Sequence, residues 1–489
     1  MNIVFVASEA APFAKTGGLA DVAGALPKFI QELGHTVCVF MPFYRQVKQG
    51  KEKAADTGKS VTVSIMNRKV TGRIFQSTLP NSKVPVYLIE NDAYYDRDEL
   101  YLDRAKNTDY ADNCERFVFF SRAVLEACDA LGIRPDVVHC NDWQTGLIPA
   151  YIKTLYAQDR AVSRAHTVFT VHNLAYQGVF WHWDMKLTGL DWGLFNWQQI
   201  EFYGKLNCLK AGLVFADVIN TVSRRYAQEI QTPQLGCGLE GVLQERTEDV
   251  SGVVNGIDYT VWNPETDPLI PARYSASDLA GKAACKKALL ELQNLPHQKH
   301  TPLIGIISRL AAQKGFDILE IALPEIMKLD LQIVLLGTGD RKYHELFEAA
   351  AKEYPKSIGV NLTFNNTLAH QIEAGADMFL MPSHYEPCGL NQLYSLRYGT
   401  MPVVRATGGL ADTIVDCIPR TLANGTATGF VFEKYNPAEL FDTIRRALDL
   451  YRRPADWAGL VRNGMAQDWS WHRSAREYVE LYKKALAKS

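Results

Sequence analysis

Lys15-Thr16-Gly17-Gly18-Leu19-Ala20-Asp21 returns almost unchanged as Thr407-Gly408-Gly409-Leu410-Ala411-Asp412, near the other end of a 489-residue chain. Each copy follows an apolar run of strand character, Ile3-Val4-Phe5-Val6-Ala7 in one case and Met401-Pro402-Val403-Val404-Arg405 in the other, and each opens a helix-like stretch. Strand, glycine turn and helix form the repeating unit of a doubly wound α/β sheet, and paired glycines let the backbone approach a ligand at the helix start. Amide N–H groups and the positive end of the helix dipole favour an anion there, and Lys15 adds a full charge beside the first copy. One Gly-Gly turn is usually only a tight loop. Two copies, one in each half, point instead to two domains of the same kind.

Outward from the first turn, apolar strand candidates alternate with amphipathic helices as far as Val222, the pattern of a mostly parallel sheet covered on both faces. The clearest strands are Val84–Ile89, Val137–Cys140, Val168–His172 and Val218–Val222. Polar residues end each of them: Glu90-Asn91-Asp92, Asn141-Asp142-Trp143, His172-Asn173 and Ser223-Arg224. Ligands of open α/β sheets lie beyond these carboxyl ends. The stretch from Tyr176 to Gly204 carries Trp181, Trp183, Trp192 and Trp197, either as an excursion packed on the core, the default for most of them, or as a sugar-stacking surface.

Around Val253-Val254-Asn255-Gly256-Ile257-Asp258 a strand stops in a turn, and Pro264, Pro268 and Pro271 follow. A second strand–helix series then runs through Leu303–Ile307, Ile333–Leu336, Leu362–Phe364, Met378–Met381 and Val403-Val404. From Pro437 the chain reads as helix, with Leu440, Ile444, Ala447, Leu448 and Tyr451 at spacings of three and four. The expected organisation is an N-terminal Rossmann-like domain over 1–255, a C-terminal one over 256–465 and a final helix over 466–489 packing back on the first. Two such sheets can face one another across a cleft hinged near Gly256.

Lysine plus arginine (52) nearly balance aspartate plus glutamate (54), so the overall charge gives no case for a nucleic acid or an anionic membrane as partner. Nine cysteines without a Cys-x-x-Cys pair argue against a zinc ribbon or a secreted disulfide framework. No stretch reaches the roughly 20 apolar residues of a membrane span, and the chain enters a strand at once without a leader pattern. A soluble, cytoplasmic protein is expected.

The second half adds two clusters. Ser308-Arg309-Leu310 and Gln313-Lys314-Gly315 put an arginine and a lysine in one loop between a strand and a helix, where the arginine fork and the lysine point charge suit phosphate oxygens. Pro382-Ser383-His384-Tyr385-Glu386-Pro387-Cys388-Gly389-Leu390-Asn391-Gln392 is a polar turn opening another helix, and Glu386 within it is placed to accept hydrogen bonds from sugar hydroxyls.

Taken with Val171-His172-Asn173-Leu174-Ala175-Tyr176-Gln177-Gly178 and Asn255-Gly256-Ile257-Asp258, the order and spacing of these strings resemble bacterial glycogen synthases and plant soluble starch synthases from end to end. The resemblance implies a retaining glycosyltransferase of the B-type fold that moves glucose from ADP-glucose to the non-reducing end of an α-1,4-glucan. It implies no metal, no pyridoxal phosphate and no NAD. By the same resemblance Glu386, His172, Asp21, Arg309 and Lys314 are the catalytic group. Lys15, Gly17, Gly18, Asn255, Phe364, Cys388, Gly389, Leu390, Thr407, Gly408 and Gly409 join Arg309 and Lys314 in holding ADP-glucose, and Tyr95, Asp142 and Trp143 lie on the acceptor side. The bond to pyrophosphate leaves negative charge on ADP as it breaks, so fixed cations and helix N-termini aimed at the leaving group fit the chemistry. Two positions depart from the family pattern: Tyr394 stands where many relatives of this fold have a second glutamate, and Phe364 replaces a tyrosine near the base pocket. Because one nucleotide sugar has one pyrophosphate, the two glycine turns are expected to converge on a single ligand, the Thr407 copy gripping its phosphates.

Overall fold

The computed structural model describes residues 1–103, 106, 108–158, 160–298 and 300–488. The chain forms two compact units, Met1–Gly256 with Trp471–Ser489, and Ile257–Ser470. The division therefore falls after Gly256 and again at Trp471, against expected boundaries after 255 and 465.

The first unit is built on a nine-stranded sheet in the order Val250–Gly252, Val218–Thr221, His166–Val171, Val137–Asn141, Asn2–Val6, Thr36–Pro42, Pro85–Glu90, Arg68–Thr78, Ala55–Ile65. Its first seven strands are parallel. The central ones are mostly apolar because they are buried on both faces, and Ile3 to Val6 are buried throughout. The last two strands form an antiparallel hairpin of two 11-residue strands that the sequence reading missed. One of its faces is wet, so its composition is polar and only the alternation in Val61, Val63 and Ile65, all buried, betrays it. The C-terminal helix Trp471–Leu486 belongs to this unit and buries Trp471, Ala475, Tyr478, Tyr482 and Ala485 at helical spacing. Two tyrosine hydroxyls anchor it: Tyr482 lies 2.9 Å from His139 Nδ1, and Tyr478 accepts from Asn220 Nδ2 at 3.3 Å.

The second unit carries six parallel strands in the order Ile358–Asn361, Gln332–Leu336, Leu303–Ile307, Met378–Met381, Met401–Arg405, Phe430–Phe432. The strand expected at Leu362–Phe364 lies earlier, at Ile358–Asn361. Its partner dictates this: Asn361 pairs with Leu336, the last residue of the neighbouring strand, and beyond it no ladder remains to hold 362–364. The helix Pro437–Tyr451 begins where Asn436 accepts the Glu439 N–H at 2.9 Å, and it buries Leu440, Ile444, Ala447 and Leu448. No described helix is long and apolar enough to cross a membrane.

Candidate active site

Within the first unit, the strands Asn2–Val6, Val137–Asn141 and His166–Val171 are parallel neighbours, so the residues that follow them emerge side by side at one edge of the sheet. That edge gathers Glu9, Asp142 and His172. The His172 N–H donates to Asp142 Oδ1 at 2.7 Å, and His172 Nε2 lies 2.9 Å from Asn141 Oδ1. The Asn141 amide donates to the Val6 carbonyl at 3.0 Å, which turns its oxygen toward the imidazole and fixes the Nε2–H tautomer. Burial lowers the His172 pKa to about 3, so the ring is neutral at pH 7. Burial also pushes Asp142 up to about 7 from an ordinary 3.8; the Glu9 charge adds to the rise, while N–H groups of His172 and Asn173 oppose it. Asp142 has φ 56°, a backbone conformation that disfavours side chains bearing a Cβ. Strained, desolvated carboxyls at a strand end are common features of functional sites.

The turn after the first strand differs from expectation in one respect that decides its chemistry. Its amides already hold an anion, the carboxylate of Glu9. Glu9 Oε2 accepts from the N–H groups of Thr16 at 2.5 Å and Gly17 at 3.2 Å, and Oε1 from the Thr16 hydroxyl at 2.7 Å. The Tyr101 hydroxyl stands 2.9 Å from Oε1. Sequence reasoning passed over Glu9; the available signal was a carboxylate just beyond the strand end and within a few residues of a glycine turn. Lys15 is paired with Asp21 at 2.7 Å on the surface. Nothing lies within 4 Å of where a Cβ on Gly17 or Gly18 would stand, so the space beside these two glycines is open.

In the second unit, the loops after Leu303–Ile307, Met378–Met381 and Met401–Arg405 form one cluster. Lys314 Nζ bonds Glu386 Oε2 at 2.7 Å, and the Ser383 hydroxyl donates to the same oxygen at 2.9 Å. Backbone contacts lock the loops together. The His384 N–H donates to the Gln313 carbonyl at 2.8 Å, and Gln313 Nε2 to the Tyr385 carbonyl at 3.1 Å. Gly315, at φ 77°, leaves a Cβ only 1.9 Å from the Pro382 carbonyl oxygen, so the residue after Lys314 has no room for a side chain. Gly408 is under the same constraint: at φ 44° its Cβ would stand 1.9 Å from the Glu386 carbonyl oxygen. A Cβ on Gly409 would stand 2.0 Å from the Cys388 carbonyl oxygen, and the Gly409 N–H reaches the carbonyls of Glu386 and Pro387, each at 3.2 Å. The paired glycines of the Thr407 copy admit the Glu386–Cys388 backbone. Arg309 is exposed in the neighbouring loop, and Phe364, beyond the sheet edge, is 83% exposed with a face open for stacking.

The remaining positions separate. Asn255 is buried and its Oδ1 has no hydrogen-bond partner, an open acceptor within the first unit. Cys388 is buried and Thr407 almost wholly so, while Gly389, at φ 72°, and Leu390 precede the helix Asn391–Tyr398. Trp143 is half-buried, edge-on to Phe117 at 5.0 Å and Phe180 at 5.6 Å, with Gly178 beneath its ring. Tyr95 is a correction. It is 0% exposed, its hydroxyl donates to the Arg116 carbonyl at 3.0 Å, and it packs on Tyr44, so it offers an acceptor no surface. Tyr394, at the position of the missing glutamate, stacks on Trp262 at 3.9 Å, and Trp262 stacks on His370 at 3.8 Å. Among the described residues no three His, Cys, Asp or Glu side chains come together as a metal site.

Comparison with known proteins places these features in a family. Residues 2–245 match the pattern described as starch synthase catalytic domain, and residues 290–462 that of glycosyl transferases group 1. The chain is 49% identical over 485 residues to the glycogen synthase of Koribacter versatilis, covering 99% of this chain and 98% of that one. It is 47% identical to the glycogen synthase of Syntrophotalea carbinolica, over 99% of both. The catalytic domain of starch synthase IV from Arabidopsis thaliana, bound to ADP and acarbose, superposes with a TM-score of 0.91 at 32% identity, over 99% of each chain.

Proposed function

This chain belongs to the glycogen and starch synthase family of glycosyltransferases, and from that premise we propose that it transfers glucose from ADP-glucose to the non-reducing end of an α-1,4-glucan in the cytoplasm, retaining configuration and releasing ADP. The observation that carries the reading is the Lys314–Glu386–Ser383 cluster, held by backbone contacts to Gly315, Gly408 and Gly409. Charge on the departing ADP is met by Arg309 and Lys314, preorganised cations that need no reorganisation as the bond breaks. Lys314 and Ser383 both bond Glu386 Oε2, which leaves Oε1 to accept a hydroxyl of the donor glucose. Phe364 stacks on the adenine, and its missing hydroxyl removes one hydrogen bond to the base. Support for an adenine nucleotide comes from the ADP bound in the Arabidopsis starch synthase structure.

The first unit meets the positive charge that develops on the sugar. Asp142, poised to ionise near pH 7, supplies a nearby negative group. Neutral His172 and its carbonyl lie against the donor glucose. No metal, pyridoxal phosphate or nicotinamide takes part in this scheme. Transfer of labelled glucose to glycogen tests it, with ADP-glucose or UDP-glucose as donor and with or without a chelator. ADP-glucose is expected to be strongly preferred and the rate to be indifferent to chelation. Equal use of UDP-glucose would sink the donor assignment, and activity lost to the chelator and restored by a divalent cation would sink the metal-free scheme.

A further inference from the structure

The tryptophans between Tyr176 and Gly204 do not pack into the core. Trp181 is 61% exposed, Trp183 44%, Trp192 43% and Trp197 71%. Three of them form a continuous edge-to-face series, with Trp181 6.4 Å from Trp183 and Trp183 5.7 Å from Trp192. Together with Met66, Asp184, Lys186 and Leu187, Trp181 and Trp183 line a cavity of about 440 Å³. Strand geometry fixes which way the platform looks. Phe180 and Trp181 are neighbours in the strand Val179–Trp181, and successive side chains leave a strand on opposite faces. Phe180 packs on Trp143, next to Asp142, so Trp181 faces away from that edge.

Exposed indoles grouped like this are unusual on a surface that serves no partner. We propose that Trp181, Trp183 and Trp192 form an accessory platform that binds a chain of the polymeric α-glucan acceptor away from the reacting end, an inference that rests on the glucan reading above. Indole faces offer broad apolar area at little entropic cost, matching the C–H faces of successive pyranoses. The polar groups fit the same ligand. Asp184 and Lys186 put one charge of each sign in the cavity, with Lys186 Nζ 4.1 Å from the Trp183 ring centroid. This pair can accept from and donate to hydroxyls, and its cancelling charge gives an anionic partner no net attraction. One glucan particle presents many chain ends, so holding one chain raises the local concentration of the others at the site of transfer.

The test compares the wild type with Trp181→Ala/Trp183→Ala, both able to form the glycosyl bond. In native gels containing glycogen the variant should be retarded at least fivefold less. Its KM for glycogen should rise by about the same factor, while kcat and KM with maltotriose and the KM for ADP-glucose stay within twofold. Unchanged glycogen retention overturns the platform, as does an equal loss with maltotriose, which would make these rings part of the catalytic acceptor track. Disappearance of a dimer in sedimentation, with glycogen affinity intact, would make the patch a self-association face and also overturn the proposal. In the unmutated protein, β-cyclodextrin should release the enzyme from glycogen without slowing transfer to maltotriose; inhibition of both reactions counts against the platform whether or not the variant folds. A wild type that transfers no glucose to glycogen removes the underlying reading, whereas full transfer with unchanged retention removes the platform alone.

Discussion

Replacing Asp142 by asparagine should stabilise the first unit at alkaline pH while crippling turnover. The carboxyl is pushed from 3.8 to about 7, chiefly by burial. A raised acid holds its proton in the fold after the unfolded chain has lost it, so its contribution is neutral below about pH 3.8, becomes increasingly unfavourable up to pH 7, and is constant above that. At roughly 1.4 kcal/mol per tenfold change, the full penalty is at most about 4 kcal/mol, and partial solvent access brings it nearer 2 kcal/mol. Asparagine fits the site: its oxygen still accepts the His172 N–H, and its backbone carries the same strain at φ 56° as the aspartate it replaces. It loses the bond from the Asn173 N–H, on the order of 1 kcal/mol, whose preference for the ionised carboxyl is already contained in the raised pKa. The diagnostic is therefore the change in the stability difference between pH 5 and pH 8, where about two-thirds of the penalty accrues, or roughly 1.3 kcal/mol. For a unit of this size that is ~3–5 °C in Tm. Calorimetry of both proteins at the two pH values measures it. A Tm difference that is the same at pH 5 and pH 8, or one that moves against the variant as pH rises, refutes the desolvated carboxyl, and turnover within a few-fold of the wild type refutes its part in catalysis.

Arg309→Ala should lower kcat about a hundredfold, the usual effect of removing one preorganised donor; steady-state kinetics within a few-fold of the wild type would contradict its place opposite the leaving group. Lys314→Ala should lose as much activity and in addition lower Tm, because buried Glu386 is left with Ser383 alone. Gly408→Ala must displace the Glu386 carbonyl, 1.9 Å from the new Cβ, and should lower both Tm and kcat, the latter at least tenfold, whereas Gly17→Ala enters open space and should leave Tm unchanged in calorimetry. Tyr95→Phe removes one buried hydrogen bond, on the order of 1 kcal/mol, and should leave the KM for glycogen within twofold.

Much of this molecule was legible because parallel strands buried on both faces are short apolar runs bounded by polar residues. Leu303–Ile307 and Met378–Met381 could be read to the residue, since periodicity and burial agree there. The hairpin Ala55–Ile65 with Arg68–Thr78 escaped because its stability depends on pairing with Pro85–Glu90, a long-range contact without local hydrophobic weight. Strand register placed Phe364 past the sheet edge, and register is set by the partner rather than by residues 362–364 themselves. Residue type suggested Tyr95 as an acceptor contact, but tyrosine serves equally as a core residue with one satisfied hydroxyl, and only burial distinguishes the two. The tryptophans of the 181–197 stretch went the other way: core packing was the default, and the structure leaves their rings in water.

The two glycine turns show why a repeated string need not mean a repeated task. Both satisfy the same local demand, a strand passing into a helix, and their neighbours then give them opposite uses. In the first, the amides of Thr16 and Gly17 are neutralised by Glu9 while the space beside Gly17 and Gly18 stays open. In the second, the glycines are filled by the backbone that carries Glu386. The charges sort accordingly. Around the first turn Glu9, Asp21 and Asp142 outnumber Lys15, an edge suited to opposing positive charge on a sugar. In the second unit Arg309 and Lys314 outnumber Glu386, a loop cluster suited to a departing diphosphate.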